Sequence, residues 1–263
     1  MSDQSPLLVE RDAGVLTLTI NDAPVNRMSL EYMDALEEAV IAAAKDPEVR
    51  VLVLTAVGDQ NFSVGMDLKQ LGPGAAARGG VEAVFDQRLR VLAAIENMDK
   101  PSIATLFGYC LGGGLELPLA CHFRIAAAEG AKIGLPEMDL GGVPAWGGTA
   151  RLTRCVGRGA ALDMILRARK IDGPEALRIG LVQEVHPLDQ LKEAAQAMAR
   201  ELAAMPPIAV AGVLRCVVGS GTASLDEALA AERAAVMRCF ATEDQREGMQ
   251  AFLEKRRPIF AGK

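Results

Sequence analysis

Two uncharged runs of strand length, residues 51–54 (VLVL) and residues 101–107 (PSIATLF), constrain this chain more than any other feature. A run without polar alternation has no face to offer solvent, so each predicts a strand buried on both sides. Helical patterning lies between them, over residues 81–98. Strand, helix and strand therefore alternate, which is the order of an α/β fold. Upstream, residues 7–10 and 15–20 flank Asp12-Ala13-Gly14, and LTLTI alternates with period two, so a hairpin is expected. Ser29 can cap a helix whose Met33, Leu36, Val40 and Ala43 recur every three or four residues. Residues 72–80 read as a flexible segment, and residues 122–127 and 132–134 as further short β stretches. From Gly148 onward nearly everything is helical, over 149–156, 158–167, 174–179, 187–204, 208–218, 225–240 and 243–255. Pro206-Pro207 marks a joint between helices, while no Ser/Gly-rich linker and no internal repeat divides the chain.

Composition closes off several classes. With 263 residues, 50% of them hydrophobic and 24% charged, the chain has the makings of an ordinary globular core and not of a disordered or collagen-like polymer. The net charge is −6 and the basic residues are scattered, so no cationic footprint for nucleic acid is expected. The longest uncharged stretch, residues 101–115, is interrupted by Gly and falls short of the roughly 20 apolar residues that span a bilayer. The N-terminal MSDQSPLLVERD lacks a basic region ahead of an apolar core, so a cytoplasmic location and no membrane partner are expected. Five cysteines without a CxxC pair read as structural thiols, and no metal site is expected.

Three segments carry chemistry. In LGGGLE, residues 111–116, glycines follow a buried strand and open an apolar helical stretch, so backbone N–H groups and a positive dipole end face whatever lies beyond. Gly113 and Glu116 are three apart, about one turn on a shared helix face, which brings an oxyanion at the Gly113 N–H within reach of the Glu116 carboxylate. In NFSVGMDLKQL, residues 61–71, a strand-end loop meets Gly65 and a short helix beginning near Met66. In GLPEMDLGGVPAWGG, residues 134–148, Glu137 sits among apolar residues in a loop held by Pro and Gly, surroundings that raise a carboxyl pKa.

Together these segments resemble the crotonase, or enoyl-CoA hydratase/isomerase, superfamily. FSVGMDLKQ resembles its F-[SC]-x-G-x-D-[LI] loop, GYCLGGGLEL its glycine-triplet helix start, and GLPEMDLGGVPAWGGTARLTRCVG its G-x-P-E…G-G-T-x-R-L segment. The later IDGPEALRIGLVQEVHP and EGMQAFLEKRRPIF extend the match over essentially the whole chain. The resemblance implies a spiral of ββα units over residues 1–200, followed by a helical trimerisation region over 201–263, with a homotrimer or homohexamer as the assembly. It implies an enoyl-CoA hydratase acting on an acyl-CoA thioester, with no cofactor beyond the coenzyme A of the substrate. The backbone N–H groups of Met66 and Gly113 would form an oxyanion hole, and Glu116 and Glu137 would be the two catalytic carboxylates. Arg27, Val64, Asp67, Leu68, Lys69, Gly112 and Trp146 would border the thioester and its CoA. Isomerase, thioester hydrolase and C–C lyase reactions share the oxyanion hole and stand as alternatives, and a non-catalytic CoA-thioester binder as a second.

The sequence also departs from the family pattern. Pro118 stands two residues after Glu116, where it removes a helix donor and puts the aim of that carboxylate in question. His122 replaces a usual Asp and is expected to be structural. Trp146, the only tryptophan, occupies a loop position that is usually small. It is either a core or trimer-contact aromatic or a wall of the acyl pocket. The basic Lys255-Arg256-Arg257 run reads as a solvated face or, less simply, as a CoA phosphate contact across a subunit boundary.

Overall fold

The structure is a computed structural model that describes residues 5–263, so the first four residues of the N-terminal segment read above lie outside it. Strands β1 (Leu7–Asp12) and β2 (Val15–Ile20) form the expected antiparallel hairpin, turning at Ala13 and Gly14 with positive φ at both. Strands β3 (Val51–Ala56), β4 (Ser102–Leu106), β6 (Phe123–Ala127) and β8 (Glu184–His186) extend it in parallel, giving the order β1-β2-β3-β4-β6-β8. Every residue of β3 and β4 is buried, as their lack of polar alternation predicts. A Thr55–Thr105 hydroxyl pair at 2.8 Å satisfies the two buried threonines, and the Ser102 hydroxyl pairs with His122 Nδ1 at 2.8 Å. A second small parallel sheet joins β5 (Tyr109–Leu111) to β7 (Lys132–Gly134).

Helices supply the covering layers. Helix α1 (Leu30–Lys45) starts at the predicted cap, where the Ser29 hydroxyl accepts from the Tyr32 N–H, and buries Met33, Leu36, Val40 and Ala43. Helix α3 (Val81–Glu96) packs beside it. On the sheet, α7 (Leu188–Ala203) lays down Leu191, Ala195 and Ala199 at i, i+4 spacing against β2, β3, β4 and β6. Helices α4 (Gly113–Leu119), α5 (Gly148–Leu166) and α6 (Gly173–Arg178) belong to the middle of the chain. Helices α8 (Pro207–Gly219), α9 (Leu225–Phe240) and α10 (Glu243–Glu254) complete it. Gly157, with φ 78° and ψ 163°, breaks α5 at the boundary that the sequence places between two helices.

One sequence reading is corrected. The segment 72–80 is not simply flexible, because helix α2 (Leu68–Ala76) runs through Gly72, Pro73 and Gly74. Asp67 caps that helix, and Ala75 and Leu71 hold it by packing with Leu30 and Val84 in a small apolar cluster, enough to override poor propensity. The short helix expected to begin near Met66 starts at Leu68. His186 is the last residue of β8.

Candidate active site

The site forms where the loop after β3 crosses the start of α4. Phe62 and Ser63 N–H groups donate to the Phe107 and Tyr109 carbonyls, and the Leu111 N–H returns to the Ser63 carbonyl, so residues 62–63 lie alongside β5. The next residues are fixed from the other side: Met28 donates to the Gly65 carbonyl, and Asp67 donates to the Met28 carbonyl. Gly65 has φ +92°, and a Cβ there would lie 2.7 Å from the Leu111 carbonyl oxygen and 3.3 Å from the Gly113 nitrogen. Only glycine allows this approach. It brings Met66 next to Gly113, and among the described residues neither N–H has a hydrogen-bond partner. Two unpaired backbone donors side by side are what a developing oxyanion needs.

Glu116 projects from the first turn of α4 and is 2% exposed. Its Oε1 accepts from the Trp146 and Gly148 N–H groups, both at 2.8 Å. Pro118 lies inside α4, yet the loop donors and not the helix axis set the carboxylate's direction, so the aim that Pro118 put in question is fixed from outside. Gly148 is required here, since a Cβ would sit 2.8 Å from Glu116 Oε1. Burial pushes the Glu116 carboxyl up to about 7, against the pull of the Gly148 and Trp146 N–H groups; the neighbouring Glu137 adds to the rise.

Glu137 opens a short 3-10 turn, Glu137–Leu140, and reaches back over the glycine triplet. A Cβ on Gly112 would lie 3.0 Å from its Oε1, while its Oε2 is buried without a hydrogen-bond partner. Burial raises this carboxyl too. Gly112 itself, at φ +56°, turns the chain from β5 into α4 and donates to the Gly134 carbonyl. Two carboxylates of raised pKa thus flank two free backbone donors.

Trp146 is 3% exposed and joins the main core, but its indole edge also lies against Gly113, where a Cβ would be 2.4 Å from Cζ3. The sequence left core and pocket wall as alternatives; the side chain is in the core and also bounds the space beside the Gly113 N–H. Arg27 makes a two-pronged pair with Asp22, Nε and Nη2 at 2.7 and 3.0 Å, so Asp22 holds the guanidinium that the sequence assigned to the CoA. The Asp67 carboxylate accepts from the Lys69 N–H, Leu68 and Lys69 are exposed, and the Val64 N–H donates to the Val25 carbonyl. His122 Nδ1 accepts from the Ser102 N–H at the start of β4, a bracing role. Arg256 is taken up by Glu247 and Glu254.

The sequence model of the family described as Enoyl-CoA hydratase/isomerase matches residues 10–263. The chain belongs to this family. A crotonyl-CoA hydratase of Syntrophomonas wolfei is 37% identical over 259 residues, covering 98% of each chain. A probable enoyl-CoA hydratase of Bacillus subtilis is 37% identical over 255 residues, covering 95% of this chain and 96% of its own. Among solved structures, an enoyl-CoA hydratase of Geobacillus kaustophilus superposes with a TM-score of 0.93 at 32% identity, covering 100% of this chain and 98% of that one. The crotonase-type architecture expected from the motifs is therefore the observed one.

Two supporting residues escaped the sequence reading. Arg151 donates from Nη1 to the Trp146 carbonyl at 2.8 Å and pairs through Nη2 with Glu96 at 2.7 Å, clamping the loop that holds Glu116. Arg88 is fully buried on α3. Its signal was present as a cation at the helical spacing of Val84, Val91 and Leu92, all buried.

Proposed function

We propose that this protein is an enoyl-CoA hydratase that adds water across the 2,3-double bond of an acyl-CoA thioester. The observation that carries this reading is the convergence of Glu116 and Glu137 on the glycine triplet beside the unpaired Met66 and Gly113 N–H groups. The thioester oxygen accepts from those two donors, each worth about 3 kcal/mol to an enolate-like transition state. Glu116, with two backbone N–H groups favouring its ionised form, takes a proton from water as the hydroxyl adds to Cβ. Glu137, whose buried Oε2 has no donor to stabilise a charge, is the acid that delivers a proton to Cα, and Glu116 acts as the base once its raised carboxyl has ionised, above about pH 7. Proton return from Glu116 to Glu137 restores the starting state.

Incubation with a panel of trans-2-enoyl-CoA thioesters, followed by mass analysis, should show gain of one water with CoA still attached. Free CoA would identify a hydrolase instead, and a product of unchanged mass with a migrated double bond an isomerase. Either result as the main product sinks the hydratase reading.

The assembly proposed with this reading is a trimer or a dimer of trimers. Val213, Val217, Phe240, Phe252 and Leu253 on α8, α9 and α10 are all at least 60% exposed, an apolar surface that a lone chain would not leave in water. Light scattering at micromolar concentration should give a multiple of three chains, and a stable monomer would contradict it.

A further inference from the structure

Residues 146–148 lie between an anion and a cation. On one side the Trp146 and Gly148 N–H groups donate to Glu116 Oε1. On the other stands Arg151, in the first turn of α5, with its side chain 12% exposed. Its Nη1 donates to the Trp146 carbonyl at 2.8 Å, and the guanidinium lies over Gly147, where a Cβ would collide with Nη1. Gly147 has φ +95°, so glycine serves this turn twice, through its left-handed backbone and through the room it leaves for the cation.

The cation is itself held. Nε and Nη2 of Arg151 both donate to Oε2 of Glu96, the last residue of α3, at 3.1 and 2.7 Å. Charges sheltered in this way are screened by salt much less than surface pairs. The charged groups that face Glu116 are Arg151 from α5 and Glu137 from the 3-10 turn, and they act in opposite senses: the cation favours the ionised carboxylate, the second carboxyl opposes it. Glu96 is faced in turn by His122, whose Nδ1 is engaged by the Ser102 N–H. Burial foremost, and Arg124 beside it, hold that ring below its ordinary pKa.

We propose that Arg151, held by Glu96, is a positioning residue of the reaction: it fixes the loop whose amides grip Glu116, places its charge behind them, and so governs how readily that carboxylate takes a proton from water. Glu96 has two roles in this arrangement. It aims the guanidinium and offsets part of its charge. The inference rests on the hydratase reading for the role of Glu116 as base, though not for the contacts.

The test follows two quantities against pH in the wild type, Arg151→Met, Arg151→Lys and Glu96→Gln. One is kcat/KM on a trans-2-enoyl-CoA, which reports the groups of the free enzyme. The other, with no substrate present, is the Glu116 carboxyl itself, read by infrared difference titration against Glu116→Gln. In the wild type both should turn at about pH 7. Arg151→Met should move both midpoints up by about one pH unit, the lower end of what a nearby cation does to a carboxylate, so that kcat/KM at about pH 6 falls about tenfold. Arg151→Lys keeps the cation and should recover part of the change. Glu96→Gln still accepts both Arg151 N–H groups but no longer offsets the charge, so both midpoints should move down. Opposite signs from the two halves of one pair are the mark of charge control; a packing role alone would slow both variants with the midpoints in place. Wild-type midpoints in Arg151→Met overturn the proposal, as does an upward or absent change in Glu96→Gln, an isosteric variant that decides the matter even if Arg151→Met does not fold. Infrared midpoints that move as stated, with no water added to any thioester, would refute hydration and leave the pair's hold on Glu116 standing. Hydration with unmoved midpoints would do the reverse.

Discussion

Glu116→Gln should lower the hydration rate about 10² to 10⁴-fold while leaving the loop around it in place. The glutamine carbonyl still accepts from the Trp146 and Gly148 N–H groups, but the side chain no longer takes a proton from water. Glu116→Ala makes the contrast, because it strands two backbone donors in the interior at a cost of about 1 to 3 kcal/mol each. The glutamine variant also isolates the effect of the shifted pKa. In the folded protein Glu116 titrates at about 7, above the 4.5 of an ordinary glutamate, so between those values the native state holds a proton that the unfolded chain has lost. Wild-type stability therefore falls as pH rises through that window and levels above it. Glu116→Gln, permanently neutral, escapes the loss, and its stability relative to wild type should climb from pH 4.5 to about 7 and then stay constant. Steady-state kinetics and urea unfolding across that range check both statements. Turnover near the wild-type level would remove Glu116 from the mechanism, and a pH-independent stability difference would remove its raised pKa.

Gly65→Ala should reduce kcat/KM about 10² to 10³-fold, the effect of losing one oxyanion donor. The new methyl would be driven into the Leu111 carbonyl oxygen at 2.7 Å and towards the Gly113 nitrogen, and φ +92° is itself unfavourable for alanine. The loop must retreat, and Met66 retreats with it. Gly58→Ala is the control: its φ is +73°, with open space around the added carbon, so it carries the backbone strain without the collision. Gly58→Ala should lose stability and keep its turnover. If Gly65→Ala were equally active, the donors at Met66 and Gly113 would not act as a pair.

The sheet was legible because burial on both faces writes itself into the sequence as unbroken apolar runs, as at β3 and β4. The three-residue strands β5 and β8 leave no such trace; they exist because β7 and β6 offer them a free edge, which is a tertiary fact. Helix α2 was misread for the same reason, its Gly-Pro-Gly being tolerated only because Leu30 and Val84 lie beneath it. At the site, Glu116, Glu137 and the glycines were found through motif resemblance, since spacing places Gly113 and Glu116 on one helix but says nothing of a carboxylate that arrives from another loop. Trp146 was located but not interpreted, because core and pocket wall are alternatives in one dimension and coincide in three. Arg88 was passed over: a cation on an apolar helix face gains meaning only once its partners have been counted.

The anchoring of Glu116 by the main chain of residues 146 and 148 also bears on how such an enzyme could be redesigned. The residue whose side chain bounds the space beside Gly113 is the residue whose amide holds the carboxylate, and Arg151 grips its carbonyl as well. Exchanging the indole for another side chain leaves that amide where it is, so acyl preference is open to point substitution at little expense in rate. Lengthening or shortening the loop is a different operation, because it drags the anchor along with the wall. Directed evolution of this scaffold should therefore yield altered acyl preference from saturation at position 146, and inactive proteins from insertions and deletions between 141 and 148.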